Sequence, residues 1–478
     1  MRLDWYEKQH HPLIESLVTQ LFDAIPPPKS LRGVNKLHRE QSLKSLSHLF
    51  ISALYSNHFK IGGSDKVSMP KSPRYFDIKD ISGQKLKLSH RYCIEVFSAL
   101  ERLKWIKVTL GKKGINHTLI EPSSLLETLF NEIGFLWTPQ EPKPEEELIV
   151  LRDLKRDKDG NPFKKKPKID IPLPDYKLKS THLNNLKKIN KALMNHCYHM
   201  DLSDENIKAL KPKGNDKNKE SGGVILLSSI QLSRIFSRGS VELGGRFYRG
   251  WWQLIPSKHR PHIRIDGYKT DEIDFSGIGI RILYSEVGAE YKGADPYDIG
   301  LDNWKGSKDN RRKAVKKAMN ALINDIDGKY SFGKEEIQLL KMNTKQFKEK
   351  VQNTHKPIAE FFQTEKGLKS QYIDSQIAEH IMLNMIHNDA ITLPIHDSFI
   401  VRLGHRKLLI ESMRKACIEI LGFDISTTQE YIKLNEHFNL TEQEILEIHN
   451  NPKKAIINIC CFSTTPSSSK TSLYRLVT

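Results

Sequence analysis

Two short apolar stretches, 123 residues apart, each break on an aspartate, in EIDFSGIG at Asp274 and in LPIHDSFIV at Asp397. A carboxylate flanked by strand-forming apolar residues is costly to bury and is kept where it has work to do. The first lies in HIRIDGYKTDEIDFSGIGIRILY, which reads as a hairpin whose second strand, 272–275, delivers Asp274 to a junction with a helix starting near Ile278. The second reads as a short strand, a tight turn at His396 and Asp397, and a returning strand. If the two hairpins share one antiparallel sheet, the carboxylates converge, and their hard oxygens suit Mg²⁺. Two carboxylates bridging two metal ions are the minimum equipment for phosphoryl transfer.

A third segment, KDNRRKAVKKAMNALIND, predicts a helix with Val315, Ala318, Met319 and Leu322 on its apolar stripe. Arg312, Lys316 and Asn320 fall on a different stripe, and two cations one turn apart suit a triphosphate. The chain of 478 residues predicts two or three domains, and its net charge of +18 favours a polyanionic partner. No apolar run approaches the ~20 residues of a bilayer span. The start, MRLDWYEKQHHPLIESL, lacks the apolar core of a secretory signal, so a soluble cytoplasmic protein with no membrane partner is expected. Five cysteines without CxxC spacing indicate neither a zinc ribbon nor a disulfide framework. The His196, Cys197 and His199 group lacks a second ligand pair.

Upstream, residues 1–125 read as a helical region, with Leu43, Leu46, Leu49, Phe50 and Leu54 at helical spacing. Ser89 can cap a helix carrying Cys93, Val96, Phe97, Leu100 and Leu103, followed by WIKVTL, GKKG and INHTLIEP. This helix and basic-tipped hairpin resemble the end of a winged helix, in which Arg91, Lys112 and Lys113 would meet duplex phosphates. An ordinary packed helix with a solvated turn fits the same pattern. Residues 126–222 read as a basic linker with thumb-like helices, the Pro-, Glu- and Lys-rich stretch 142–174 being linker or exposed loop. Residues 223–445 hold the aspartates, and 446–478 read as a disordered Ser/Thr-rich tail.

Taken in order, these segments resemble the DNA polymerase I family (family A) and the related phage-type single-subunit RNA polymerases. DFSGIGIR resembles their first catalytic motif, Arg312-xxx-Lys316 their fingers-helix motif, and IHDSF their third motif. GGRFYRGWWQLIPSKHR, with Gly245, Arg246, Gln253, Ile255, Pro256 and Arg260, resembles the family A stretch preceding the first catalytic Asp. Four ordered matches from Gly245 to Phe399 are far more specific than any one.

The resemblance implies an α+β protein with a right-hand polymerase palm and fingers behind the N-terminal helical, winged-helix-like region. It implies a nucleotidyltransferase of DNA- or RNA-polymerase type. Asp274, Asp397 and the Phe275 carbonyl would hold two Mg²⁺ ions, or Mn²⁺ in their place. Arg312 and Lys316 would grip a nucleoside triphosphate, with Lys316 protonating the leaving group. Arg246, Gln253, His396 and, on the helix entering the third motif, Gln371 would meet a DNA or RNA primer-template.

Departures matter too. Gly279 stands where the DNA enzymes carry a Glu against the ribose 2′-hydroxyl, and Ser398 matches the RNA-polymerase side. The stretch from Arg246 to Pro256 matches the DNA side, so sugar choice stays open. Asn320 and Asn324 occupy the usual aromatic positions of the fingers helix, which puts nucleotide selection in doubt. The rival reading is a nucleic-acid-binding replication initiator or regulator with an inactive polymerase-like domain. Against it, Asp274, Asp397, Arg312 and Lys316 are all present together.

Overall fold

The computed structural model describes residues 12–27, 33–60, 66–69, 89–111, 118–133, 142–156, 168–203, 206–207, 209–210, 225–301, 308–325, 330–364, 366–425 and 427–429. They form a mixed α+β structure organised around three clusters of buried apolar side chains. No described helix is long and apolar enough to cross a membrane.

The first cluster belongs to α1 (Pro12–Asp23), α2 (Val34–His58), β1 (Val67–Met69), α3 (His90–Arg102), β2 (Ile106–Thr109), β3 (Thr118–Pro122) and α4 (Ser124–Ile133). Leu43, Leu46, Leu49, Phe50 and Leu54 are all buried, as their spacing requires. So are Cys93, Val96, Phe97 and Leu100 on α3. Ser89 occupies the N-cap position, but its side chain makes no capping bond, and the helix starts on the Ser89 carbonyl alone. The region is not purely helical, because β1 joins the hairpin in an antiparallel sheet of order β1-β3-β2. The GKKG turn with Lys112 and Lys113 lies outside the described residues, as does the 446–478 tail.

The stretch expected to be linker departs from that expectation. Its apolar run LIVL is long enough to bury, and α5 (Glu145–Leu148) leads into β4 (Ile149–Leu154), which pairs with β5 (Lys168–Ile171). Next come α6 (Lys179–Met194), β6 (Tyr198–Met200), β7 (Ser233–Ser237) and β8 (Ser240–Tyr248). β4 runs parallel to β7, giving a sheet of order β5-β4-β7-β8. On α6, Leu186, Ile189 and Leu193 enter the largest core cluster rather than forming a separate layer.

That core is covered by a second sheet, formed by β9 (Ile263–Ile265), β10 (Tyr268–Phe275), β11 (Thr392–Ile395) and β12 (Ser398–Arg402) together with β6, in the order β11-β12-β10-β9-β6. The helices on this side are α7 (Ile278–Glu286), α8 (Lys308–Ile323), α9 (Lys334–Leu340), α10 (Thr344–Thr354), α11 (Lys366–His387) and α12 (Arg406–Leu421), and β13 (Thr427–Gln429) pairs with the end of β10. α7 serves two cores at once: Ile278 and Ile282 face the sheet cluster, while Ile280, Leu283 and Tyr284 face the third cluster with α8 and α10. Val315, Ala318, Met319 and Leu322 of α8 are buried there. The larger of these, Val315, Met319 and Leu322, each contribute roughly 1.5–3 kcal/mol by leaving water.

Candidate active site

Alternation along β10 aims Asp274. Ile273 and Phe275 are buried at 0% and 2% exposure, so Asp274 between them faces the other side of the sheet, together with Glu272. The hairpin β9–β10 is longer than the sequence suggested, because β10 begins at Tyr268. β12 lies antiparallel beside β10 with Asp274 opposite Ser398, and the Phe275 N–H donates to the Asp397 carbonyl at 3.3 Å. The two aspartates, distant in sequence, therefore end adjacent strands at the same edge of one sheet.

A two-residue turn, His396 and Asp397, joins β11 to β12, since Ile395 pairs with Ser398. Only His396 of the two has positive φ, at 60°, which matches a type II′ turn. Left-handed backbone at a non-glycine residue costs on the order of 1–3 kcal/mol and persists where its surroundings enforce it. Here the surroundings are specific. The indole N–H of Trp252 and the amide of Gln253 both donate to the Pro394 carbonyl at 3.0 Å, and Gln253 also donates to Phe247. Tyr248 packs edge-on against the His396 ring at 5.3 Å. Gln253 thus spends its amide hydrogens inside the protein, bracing the turn that carries Asp397.

Burial pushes the Asp274 carboxyl up to about 8; the like charge of Asp397 adds to this, and Lys316 works against it. One oxygen of Asp274, Oδ1, is buried without a hydrogen-bond partner. The charge of Lys316 does not offset this crowding, and a hard divalent cation held between Asp274 and Asp397 would. Glu272 is already engaged, by Arg260 at 2.8 Å and the Ser398 hydroxyl at 2.8 Å. Among the described residues, no group of three or more His, Cys, Asp or Glu forms a metal cage. The fit therefore rests on two carboxylates and whatever backbone oxygens adjoin them, as at Phe275.

Facing this pair is the basic stripe of α8. The Arg312 guanidinium and Lys316 ammonium lie over one ring, that of Tyr297, at 5.2 and 5.6 Å from its centre. Burial, with the charges of Asp397 and Asp274, pushes the Tyr297 hydroxyl well above its ordinary range against the pull of Arg312, so the ring that supports the cations also feels the acidic pair. Asp295 grips Arg312 through Nε at 2.6 Å and Nη2 at 3.2 Å. Asn320 is exposed further along the stripe, where its carbonyl accepts from Asn324. At Gly279 an added Cβ would meet nothing within 4 Å, so the space beside α7 is open. Gly277 is the opposite case: φ is 65°, and a Cβ would lie 2.2 Å from the Pro296 ring.

On the other flank, Arg246 of β8 donates through Nε to Asp374 of α11 at 2.6 Å, within the field of Asp397. Asp374 is buried, and its carboxyl is raised by that burial against the pull of Arg246. Beneath them Arg234, with no exposed surface, donates to the Gly245 carbonyl, Glu379 and Ser375. Gln371 is half-buried on α11, one turn before Asp374. Arg91 lies on α3, exposed and paired along its own helix with Glu95. The His196 ring makes a 2.6 Å hydrogen bond through Nδ1 to Asp266, and burial, with the nearby Arg402, holds the imidazole below its ordinary range. The contacts thus bring Asp274, Asp397, Arg312, Lys316, Arg246 and His396 around one edge. Sequence reading missed Asp295, Tyr297 and Asp374; the DPYD turn shortly before a basic helix was the signal for the first two.

No protein family profile matches the chain, and no curated protein does. Among solved structures it is similar to the POL domain of Pol1 from M. smegmatis, in complex with DNA primer-template and dNTP, at 15% identity and a TM-score of 0.30. The likeness covers 58% of this chain and 56% of that one, little more than half of each. A superposition this loose fixes no residue's role.

Proposed function

We propose that the chain is a metal-dependent, template-directed nucleotidyltransferase that adds dNTPs, rNTPs or both to a nucleic-acid primer. The observation that carries this is the edge where Asp274, with its unpartnered buried oxygen, and Asp397 face Arg312 and Lys316. The ordered motifs around these same residues support the reading. Asp274 and Asp397 would hold Mg²⁺, with the Phe275 carbonyl as a further ligand. Bound there, Mg²⁺ supplies the positive charge that lets a 3′-hydroxyl act as nucleophile and that neutralises departing pyrophosphate.

The remaining work falls to the protein's own groups. Arg312 and Lys316 bind the phosphates, and Lys316 hands a proton to the leaving oxygen. Arg246, beside Asp397, and His396, on the turn itself, border the place for a primer terminus. The open space at Gly279 leaves room for a ribose 2′-hydroxyl, so ribonucleotides meet no side-chain barrier there.

Primer extension with dNTPs and rNTPs in parallel, in Mg²⁺ and in Mn²⁺, tests the proposal. Asp274→Ala and Asp397→Ala should each cost at least on the order of 10²–10³ in rate, the scale of removing one group that stabilises developing charge. Binding of labelled template should survive in both. Equal activity in wild type and the double variant rejects the assignment. Template binding without extension on any template favours the initiator reading.

A further inference from the structure

We propose that Asp295 is a positioning residue for Arg312, taking one edge of its guanidinium so that the other edge is presented to the phosphates of an incoming nucleotide. The inference rests on the reading of Arg312 and Lys316 as the phosphate grip. A guanidinium is planar, with five N–H donors arranged along distinct edges. Asp295 occupies the Nε–Nη2 edge, with Oδ2 accepting from Nε at 2.6 Å and Oδ1 from Nη2 at 3.2 Å. The Nη1–Nη2 edge is left for a second bidentate partner, and among the described residues Nη1 has no protein acceptor.

The clamp also fixes tilt. The Arg312 guanidinium and the Lys316 ammonium both lie over the Tyr297 ring, so the two cations share one flat support. That support is itself held rigid. The Asp295 carbonyl accepts from the Tyr291 hydroxyl at 3.1 Å, and the Tyr297 N–H donates to Asp295 Oδ1 at 3.1 Å. His355, fully buried, contacts the Pro296 carbonyl through Nε2 at 2.9 Å and the Tyr284 hydroxyl through Nδ1 at 3.1 Å. Arg281 holds the Tyr291 and Gly293 carbonyls at 2.8 and 3.1 Å. The loop that carries both partners of Arg312 is therefore tied to α7 at Tyr291 and Gly293, and to His355, just past α10, at Pro296.

Energetics separate a positioning role from a structural one. The side chains of Arg312 and Asp295 are 38% and 31% exposed, and ion pairs in such settings add little to the stability of a fold. So small a term does not explain a loop pinned from outside at three carbonyls. A long cation held in one plane before its ligand arrives does, because less rotamer freedom is lost on binding.

The experiment compares wild type, Asp295→Asn, Arg312→Ala and the double variant. It measures nucleotide KM and kcat in primer extension, and equilibrium binding of a fluorescent dNTP to the protein with primer-template. Asp295→Asn keeps the side-chain size and should raise KM and the nucleotide Kd about tenfold. It should leave kcat within about twofold and primer-template affinity unchanged, as expected when ground-state and transition-state binding fall together. In the Arg312→Ala background the same substitution should add nothing, because residues acting as one unit are not additive. An unchanged KM, a lowered KM (which would make Asp295 a competitor of phosphate), or an equal loss in the Arg312→Ala background overturns the clamp alone. Wild type that binds no nucleotide overturns the phosphate grip and the clamp with it.

Discussion

Replacing Asp274 by asparagine should stabilise the metal-free protein, by an amount that grows with pH. In the folded state this carboxyl titrates at about 8 instead of 3.8, because it is buried and faces Asp397. The native state therefore holds a proton that the unfolded chain has already released, and stability falls as pH rises through that window. A displacement of about four units, at about 1.4 kcal/mol each, is on the order of 5 kcal/mol when fully developed. The cost is absent below pH 4, grows between pH 4 and 8, and is complete above. Asparagine does not titrate, so the variant escapes the whole cost. Urea unfolding in EDTA, followed by tryptophan emission to which the buried Trp251 and Trp252 of the same core contribute, should show wild-type stability dropping relative to Asp274→Asn across this range. Added Mg²⁺ at pH 8 should release the proton and raise wild-type stability, leaving the variant unmoved. Parallel pH profiles for the two proteins, with or without Mg²⁺, would refute the crowded-carboxylate account.

Two glycines two positions apart should behave oppositely in thermal melts. Gly277→Ala collides with Pro296 at positive φ and should cost more than about 2 kcal/mol, whereas Gly279→Ala in open space should gain up to about 1 kcal/mol of helix propensity. Arg234→Met leaves the Glu379 charge uncompensated in the core and should cost about 3–5 kcal/mol, part of which Glu379→Met in the same chain should restore.

The acidic pair was legible because strand alternation and turn length are local rules: an aspartate after an apolar residue at a strand end, and a His-Asp pair between two apolar runs, have few geometric outcomes. The α8 stripe was legible for the same reason, as Val315, Ala318, Met319 and Leu322 declare one face and leave Arg312 and Lys316 on another. Gln253 shows where such reading stops. Its residue type suits a nucleic-acid contact, and only the fold reveals that its amide is used to hold Pro394. Asp374 was hidden because its partner, Arg246, is 128 residues away and no periodicity links them. Asp295 and Tyr297 sit in an irregular loop whose shape is set by Arg281 and His355, residues that carry no local sign of that task. The 142–174 stretch misled because composition outweighed a four-residue apolar run that proved sufficient to build a strand.

α7 is short, and it is wedged between two packed interiors that both claim its side chains. Sliding it along its axis, or lifting it from either cluster, would open voids on one side or the other. The separation between Asp274, just ahead of this helix, and the basic stripe of α8 is in this way set by close packing on two sides of a single element.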